Sequence, residues 1–171
     1  EEHAAIEAVR DLAWTYEEIG DLARARVLYE DGLRRARAQA NTRLEARLLG
    51  GLAIVAVDDG RADEARSLLQ ENFPMYRELD DLRGTGENLC RCAHALAAVG
   101  EAATAAQLLG GSEAVFEGIG ASPPWLARMN DQTLATIREQ LDEPAVAAAR
   151  EQGRALTVDE AVALALDSLR R

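Results

Sequence analysis

Gly20, Gly60 and Gly100 stand 40 residues apart, and the residues around each glycine recur with it. Five residues after each comes an alanine: Ala25, Ala65 and Ala105. Nine after comes a large side chain: Tyr29, Leu69 and Leu109. Before the glycines, at one fixed offset, lie Leu12–Ala13, Leu52–Ala53 and Cys92–Ala93. A period of this size belongs to solenoids, whose repeats bury their apolar sides on one another. Such an array offers an extended surface rather than a catalytic pocket, so the expected task is binding.

Within each repeat the pattern is helical. Leu12, Tyr16 and Ile19 recur at three- and four-residue steps, as do Leu48, Leu52 and Val55. The spacing predicts helices over 2–18, 22–39, 42–58, 62–79, 84–98 and 102–118. Each period glycine ends the first helix of a hairpin, where a left-handed residue is needed and glycine takes that conformation without steric cost. Asn41–Thr42 and Asp80–Asp81 fall between hairpins. Leu52–Val57 could read as a strand, but it fills the repeat slot of Leu12–Glu17, so helix is expected. Small Ala13, Ala53 and Ala93 let the second helix approach, and Tyr29, Leu69 and Leu109 fill the space beyond. Pro74 lies inside 62–79 and removes a bond to the Gln70 carbonyl, which predicts a kink or a break and restart.

The period stops after residue 119. Gly118 and Gly120 are expected to end the last repeat helix, with Ala121–Pro124 as a linker. Ser122 is expected to cap a helix with Pro123 at its first position, running to about Gln140. Asp142 caps a short helix over about 144–152, with Gly153 as its stop. Thr157 and Glu160 form a capping box for a last helix, whose Val158, Ala161, Val162, Ala165 and Leu169 make an apolar stripe. The expected fold is all-α: a solenoid of three helix hairpins over 1–121, then C-terminal capping helices over 122–171. A repeat array needs such a cover for its exposed end.

Composition narrows the partners. Of the residues, 48% are apolar and only 4% aromatic, so the core is built from Ala, Leu and Val. All 19 cationic residues are Arg, and the net charge is −11. Excess acid argues against direct nucleic-acid binding and against an anionic membrane. The arginines from Arg24 to Arg47 are interleaved with Glu30, Asp31 and Glu45, which reads as a solvated helix surface. Cys90 and Cys92, two apart on a helix, point to different faces and read as reduced, small apolar residues, consistent with a cytoplasmic setting. No membrane span or signal peptide is evident. The chain does not start with Met, which suggests a piece of a longer protein. The phosphate-binding, zinc-protease and serine-hydrolase motifs are missing and the two histidines lie far apart, so no enzyme activity, metal or cofactor is expected.

Leu12-Ala13, Tyr16, Gly20, Ala25 and Tyr29 resemble a tetratricopeptide repeat (TPR). Later copies are weaker, with Ala56 and Leu96 in place of the first aromatic. The family period is about 34 residues, so each hairpin here is longer. Ala106–Ala114, Gly120–Pro124 and above all Gly153-Arg154-Ala155-Leu156-Thr157-Val158-Asp159-Glu160-Ala161-Val162 are similar to runs in the C-terminal repeat region of actinobacterial LuxR-type and adenylate-cyclase-like regulators. That resemblance implies a protein-interaction role in bacterial transcription regulation or signal transduction. The partner would be another protein, the regulator's own switch domain, or a second copy. The alternative it leaves open is a small-molecule inducer held by the same domain.

In the repeat family, ligands lie along the face made by the first helices. Carried over, this implies Arg10 and Trp14 in the first copy, Arg47, Gly50, Gly51 and Ile54 in the second, and Arg91 and His94 in the third. The Lys/Asn set that clamps a peptide carboxylate in some members does not occur there. Trp14 is either core under a preceding repeat or a ligand platform, and His94 either packed or ligand-facing. The Gly50–Gly51 pair costs about 1 kcal/mol per glycine against Ala, which suggests close approach by another helix or by a ligand.

Overall fold

The computed structural model describes residues 2–171, and among these every regular element is an α-helix. The chain separates into two compact units, the first ending at Leu79 and the second spanning Asp80–Arg171.

The first unit holds α1 (Glu2–Glu18), α2 (Leu22–Ala38), α3 (Thr42–Asp58) and α4 (Ala62–Glu78). Gly20 and Gly60 turn at φ +79° and +74°. Both turns close alike: Asp21 N–H bonds to the Tyr16 carbonyl and Arg61 N–H to the Ala56 carbonyl, at 2.9 and 2.8 Å. This is the Schellman closure, which satisfies carbonyls that the helix end leaves open. The link between α2 and α3 closes the same way, Asn41 N–H to Ala36 at 3.0 Å, yet its left-handed residue is Ala40 at φ +51°. Asp21 and Asn41 then cap the helices that follow, accepting from Arg24 N–H and Leu44 N–H.

Ala13, Ala25, Ala53 and Ala65 are fully buried, as the hairpin pattern requires, and Tyr29 and Leu69 fill the space beyond them. Ile6, Leu44, Leu48, Leu49 and Val55 complete the core. Segment Leu52–Val57 is helical. α4 runs through Pro74 without a break. The proline sits on the exposed side, while Asn72, Phe73 and Tyr76 carry the buried side. Asn72 donates to the Ala46 carbonyl at 2.7 Å, tying α4 to α3 inside the core.

Across α2 and α4, Arg26 forks onto both oxygens of Glu64, at 2.7 and 3.0 Å. That hydrogen bond holds the Glu64 carboxyl below its ordinary range. A depressed folded-state pKa gives stability above the ordinary carboxylate pKa, lost as pH falls through the lowered value. Glu64→Gln should therefore cost up to about 1 kcal/mol at pH 7, because the pair is part-exposed. In urea melts across pH the difference should shrink below about pH 4. A difference that stays constant down to pH 2 would show that the pair does not act through ionisation.

The second unit holds α5 (Leu82–Ala98), α6 (Ala102–Ile119), α7 (Pro124–Arg138), α8 (Glu143–Arg154) and α9 (Val158–Leu169). α5 and α6 pair through Gly100 at φ +88°, with Ala93, Ala105 and Leu109 fully buried. Ser112 donates to the Gly86 carbonyl at 2.8 Å, the Asn72–Ala46 tie moved on by one period. α6 passes through Gly118 and ends at Gly120, φ +75°.

By residue count, α7 and α8 stand where a fourth pair would. They lack its residues: Gln132-Thr133 replace Leu-Ala, and Gln140 replaces the turn glycine. Correspondingly they hardly touch. α8 lies along α6 instead, and α7 along α5. Gly153 is not a helix stop. It sits inside α8 because a Cβ there would be 1.8 Å from the Gln107 carbonyl oxygen, and a Cβ on Gly110 would be 2.0 Å from that of Arg150. Nor does Ser122 cap α7: Pro123 holds the cap position in extended conformation and Pro124 begins the helix. The capping box of α9 is formed, Thr157 N–H to Glu160 at 2.8 Å and Glu160 N–H back to Thr157 Oγ1 at 3.3 Å. Its buried side is Ala161, Ala165, Ser168 and Leu169, packed on α5 and α6, while Val158 is exposed.

Candidate functional site

In the first unit, two of the residues that the sequence singles out, Arg10 and Arg47, meet at Glu7. Arg10 bonds Asp11 at 2.6 Å and comes within 3.9 Å of Glu7, and Arg47 comes within 3.8 Å of the same Glu7. Two cations face two carboxylates, so this surface is charge-balanced rather than positive. One turn beyond Arg10, Trp14 is 41% exposed, while Ile54, in the same slot one period later, is 5% exposed. Gly50 is buried, and the space above Gly51 is taken by a helix. A Cβ on Gly51 would lie 2.4 Å from the Tyr29 ring, whose hydroxyl donates to Glu17 at 2.8 Å. Of the two occupants open to this glycine pair, Gly51 has its own neighbour, α2.

In the second unit, the corresponding face of α5 is covered by α7. The Cys90 thiol donates to Asn130 Oδ1 at 2.6 Å. The Arg91 guanidinium lies over the Trp125 ring, 5.0 Å from its centroid, with Glu87 at 3.4 Å. His94 Nδ1 is 3.1 Å from Thr133 Oγ1. The Thr133 hydroxyl also lies 2.8 Å from the Met129 carbonyl, to which it donates. Past the end of α7, Gln140 donates to the Ala97 carbonyl at 3.1 Å. Burial under α7 pushes the Cys90 thiol up to about 12, far from the thiolate range of a reactive cysteine.

Beside α7 an open groove of about 350 Å³ runs along the end of α6. Phe116 and Leu126 give it apolar walls, and Glu113, Glu117, Ser122 and Asn130 its polar groups. The two carboxylates are neutralised from α8: Arg150 and Arg154 reach Glu113 at 2.6 and 3.2 Å, and Arg154 reaches Glu117 at 2.6 Å. Sequence reasoning missed this groove and the cover that α7 gives α5. Both arise from contacts outside the repeat pattern. Among the described residues no cluster of His, Cys, Asp and Glu could hold a metal ion, and no helix is long and apolar enough to cross a membrane.

Comparison with protein-family models, with curated proteins and with solved structures gives no match for this chain.

Proposed function

We propose that the chain is a non-catalytic interaction module, a TPR-like α-solenoid of three helix hairpins with a helical C-terminal cap, and that it binds a partner through the α1–α3 surface around Trp14. Supporting the solenoid reading are the shared turn geometry at Gly20, Gly60 and Gly100 and the recurrence of the buried alanines. The observation that carries the binding role is Trp14 itself, a large aromatic left 41% exposed one turn from Arg10. Trp and Arg dominate the energetics of protein interfaces. The partner is another protein, a switch domain of the same regulator, or a second copy of this chain. The setting, the C-terminal repeat segment of a cytoplasmic bacterial transcriptional or signalling regulator, is supported by the closing run Gly153–Val162. A net charge of −11 speaks against nucleic acid as a direct ligand.

The test is a paired capture with wild-type and Trp14→Ala/Arg47→Ala baits, followed by calorimetry against the captured partner. Both residues are part-exposed, so the double variant should keep its melting temperature. Binding should weaken at least about 30-fold, the equivalent of a single hot spot of about 2 kcal/mol. Equal affinity for the two baits would place binding elsewhere.

A second reading, sensing of a small-molecule inducer, is favoured by the groove beside α7, whose volume falls in the range of small-ligand sites. A compound that raises the melting temperature of wild type, but not of a Ser122→Trp variant that fills the groove from an exposed lining position, would favour it.

A further inference from the structure

We propose that α7 is a lid on α5: it occupies from within the chain the face that carries Cys90 and His94, two periods on from Arg10 and Trp14 of the proposed binding surface, and it opens without unfolding the rest of the second unit. This rests on the interaction reading and adds its regulation, since a partner at α5 must exchange with α7.

Three observations carry it. The first is topological. α8, not α7, lies along α6, joined by the flush crossing of Gly110 and Gly153, and α9 also packs on α5 and α6. α7 packs mainly on α5 and to a smaller extent on α6, but it hardly touches α8, so the cover that α8 and α9 give α6 does not depend on it. The second is the chemistry of the contact. Along α5, α7 and the residue just beyond it are met by a thiol, a guanidinium stacked on a ring, an imidazole and a backbone carbonyl: Cys90, Arg91, His94 and Ala97. Each can bond water or another helix once α7 leaves. The third is slack. One edge of the first half of α7, at Leu126 and Asn130, borders the open groove, and Gly120 and the turn before Asp142 connect the helix at its two ends. Leu126, Met129, Leu134 and Ile137 are buried and keep the lid closed most of the time, so opening is a rare event.

The experiment uses the full chain with no partner present. Amide exchange is followed for α5, α6, α7 and α8, and alkylation of Cys90 is mapped by mass spectrometry in wild type and in Cys92→Ala. The lid predicts that α7 amides exchange at least about tenfold faster than those of α6 and α8, and that Cys90 is alkylated at the α7 opening rate. Trp125→Ala, which removes the ring under Arg91, should speed Cys90 alkylation and α7 exchange while leaving α6 and α8 amides unchanged. Asn130→Cys, oxidised onto Cys90, should bring α7 exchange down to that of α6. If α7 amides and Cys90 respond only at the rate of α6 and α8, α7 is a fixed part of the fold and the lid is overturned. Because no partner enters, that outcome leaves binding at Trp14 standing; loss of the Trp14 reading would likewise leave the exchange result intact.

Discussion

Gly153→Ala is expected to destabilise the protein by about 3 kcal/mol or more, although alanine is the better helix former by about 1 kcal/mol. The added carbon would sit 1.8 Å from the Gln107 carbonyl oxygen, and that obstacle is backbone. A side chain in the way can rotate aside; a helix carbonyl cannot, so α6 and α8 must separate along their length. Overpacking against side chains costs about 1–3 kcal/mol, and a backbone clash belongs at or above the top of that range. Gly110→Ala should behave alike, since its Cβ would meet the Arg150 carbonyl at 2.0 Å. Gly118→Ala is the control. It lies in the same helix α6 with nothing within 4 Å of a Cβ, so it should stabilise by up to about 1 kcal/mol. Urea melts of the three variants check this. A Gly153→Ala protein as stable as wild type would mean that the two helices do not cross this closely.

Tyr29→Ala should cost about 3–5 kcal/mol, the usual loss for a buried aromatic. The ring is 3% exposed and rests on Gly51. Tyr29→Phe, which removes only the hydroxyl bonded to Glu17, should cost about 1 kcal/mol. The more telling comparison is with Gly51→Ala. Alone it pushes a carbon to 2.4 Å from the ring and should destabilise. In the Tyr29→Ala background the obstacle is gone, and the same change should become neutral or favourable, because alanine suits a helix better than glycine. The reversal in sign is the signature of direct contact in a double-mutant cycle. Additive effects would contradict the packing of α2 on α3.

Much of the fold is legible in the sequence because the same physical need recurs at a fixed interval. Gly20, Gly60 and Gly100 all sit in left-handed turns, and the period exposes that need. Ala40 and Asp80 meet it too, at φ +51° and +50°, without a residue type that announces it. Gly153 misled for the opposite reason. Glycine serves both a turn and a close approach of two backbones, and only the neighbour distinguishes them. The buried ties from Asn72 and Ser112 were available in principle, since two hydrogen-bonding residues share one slot a period apart. At the candidate site, the placing of Trp14 and Arg47 on neighbouring helices follows from the repeat. The cover on Arg91 and His94 does not. It depends on α7 leaving the place that residue counting gives it, and the cause is the lack of pairing residues at 132, 133 and 140.

Successive helices begin at residues 22, 42, 62, 82 and 102, and α2 to α5 are each 17 residues long. The chain is therefore metered in steps of twenty, alternating between two roles. Growth or loss by forty residues leaves every later helix in its own role, whereas a step of twenty exchanges the roles of all that follow. A single residue inserted within a helix turns everything after it by about 100°, and three-residue links have little slack to absorb the error. Length change in such a chain is quantised, and whole hairpins are its smallest harmless unit.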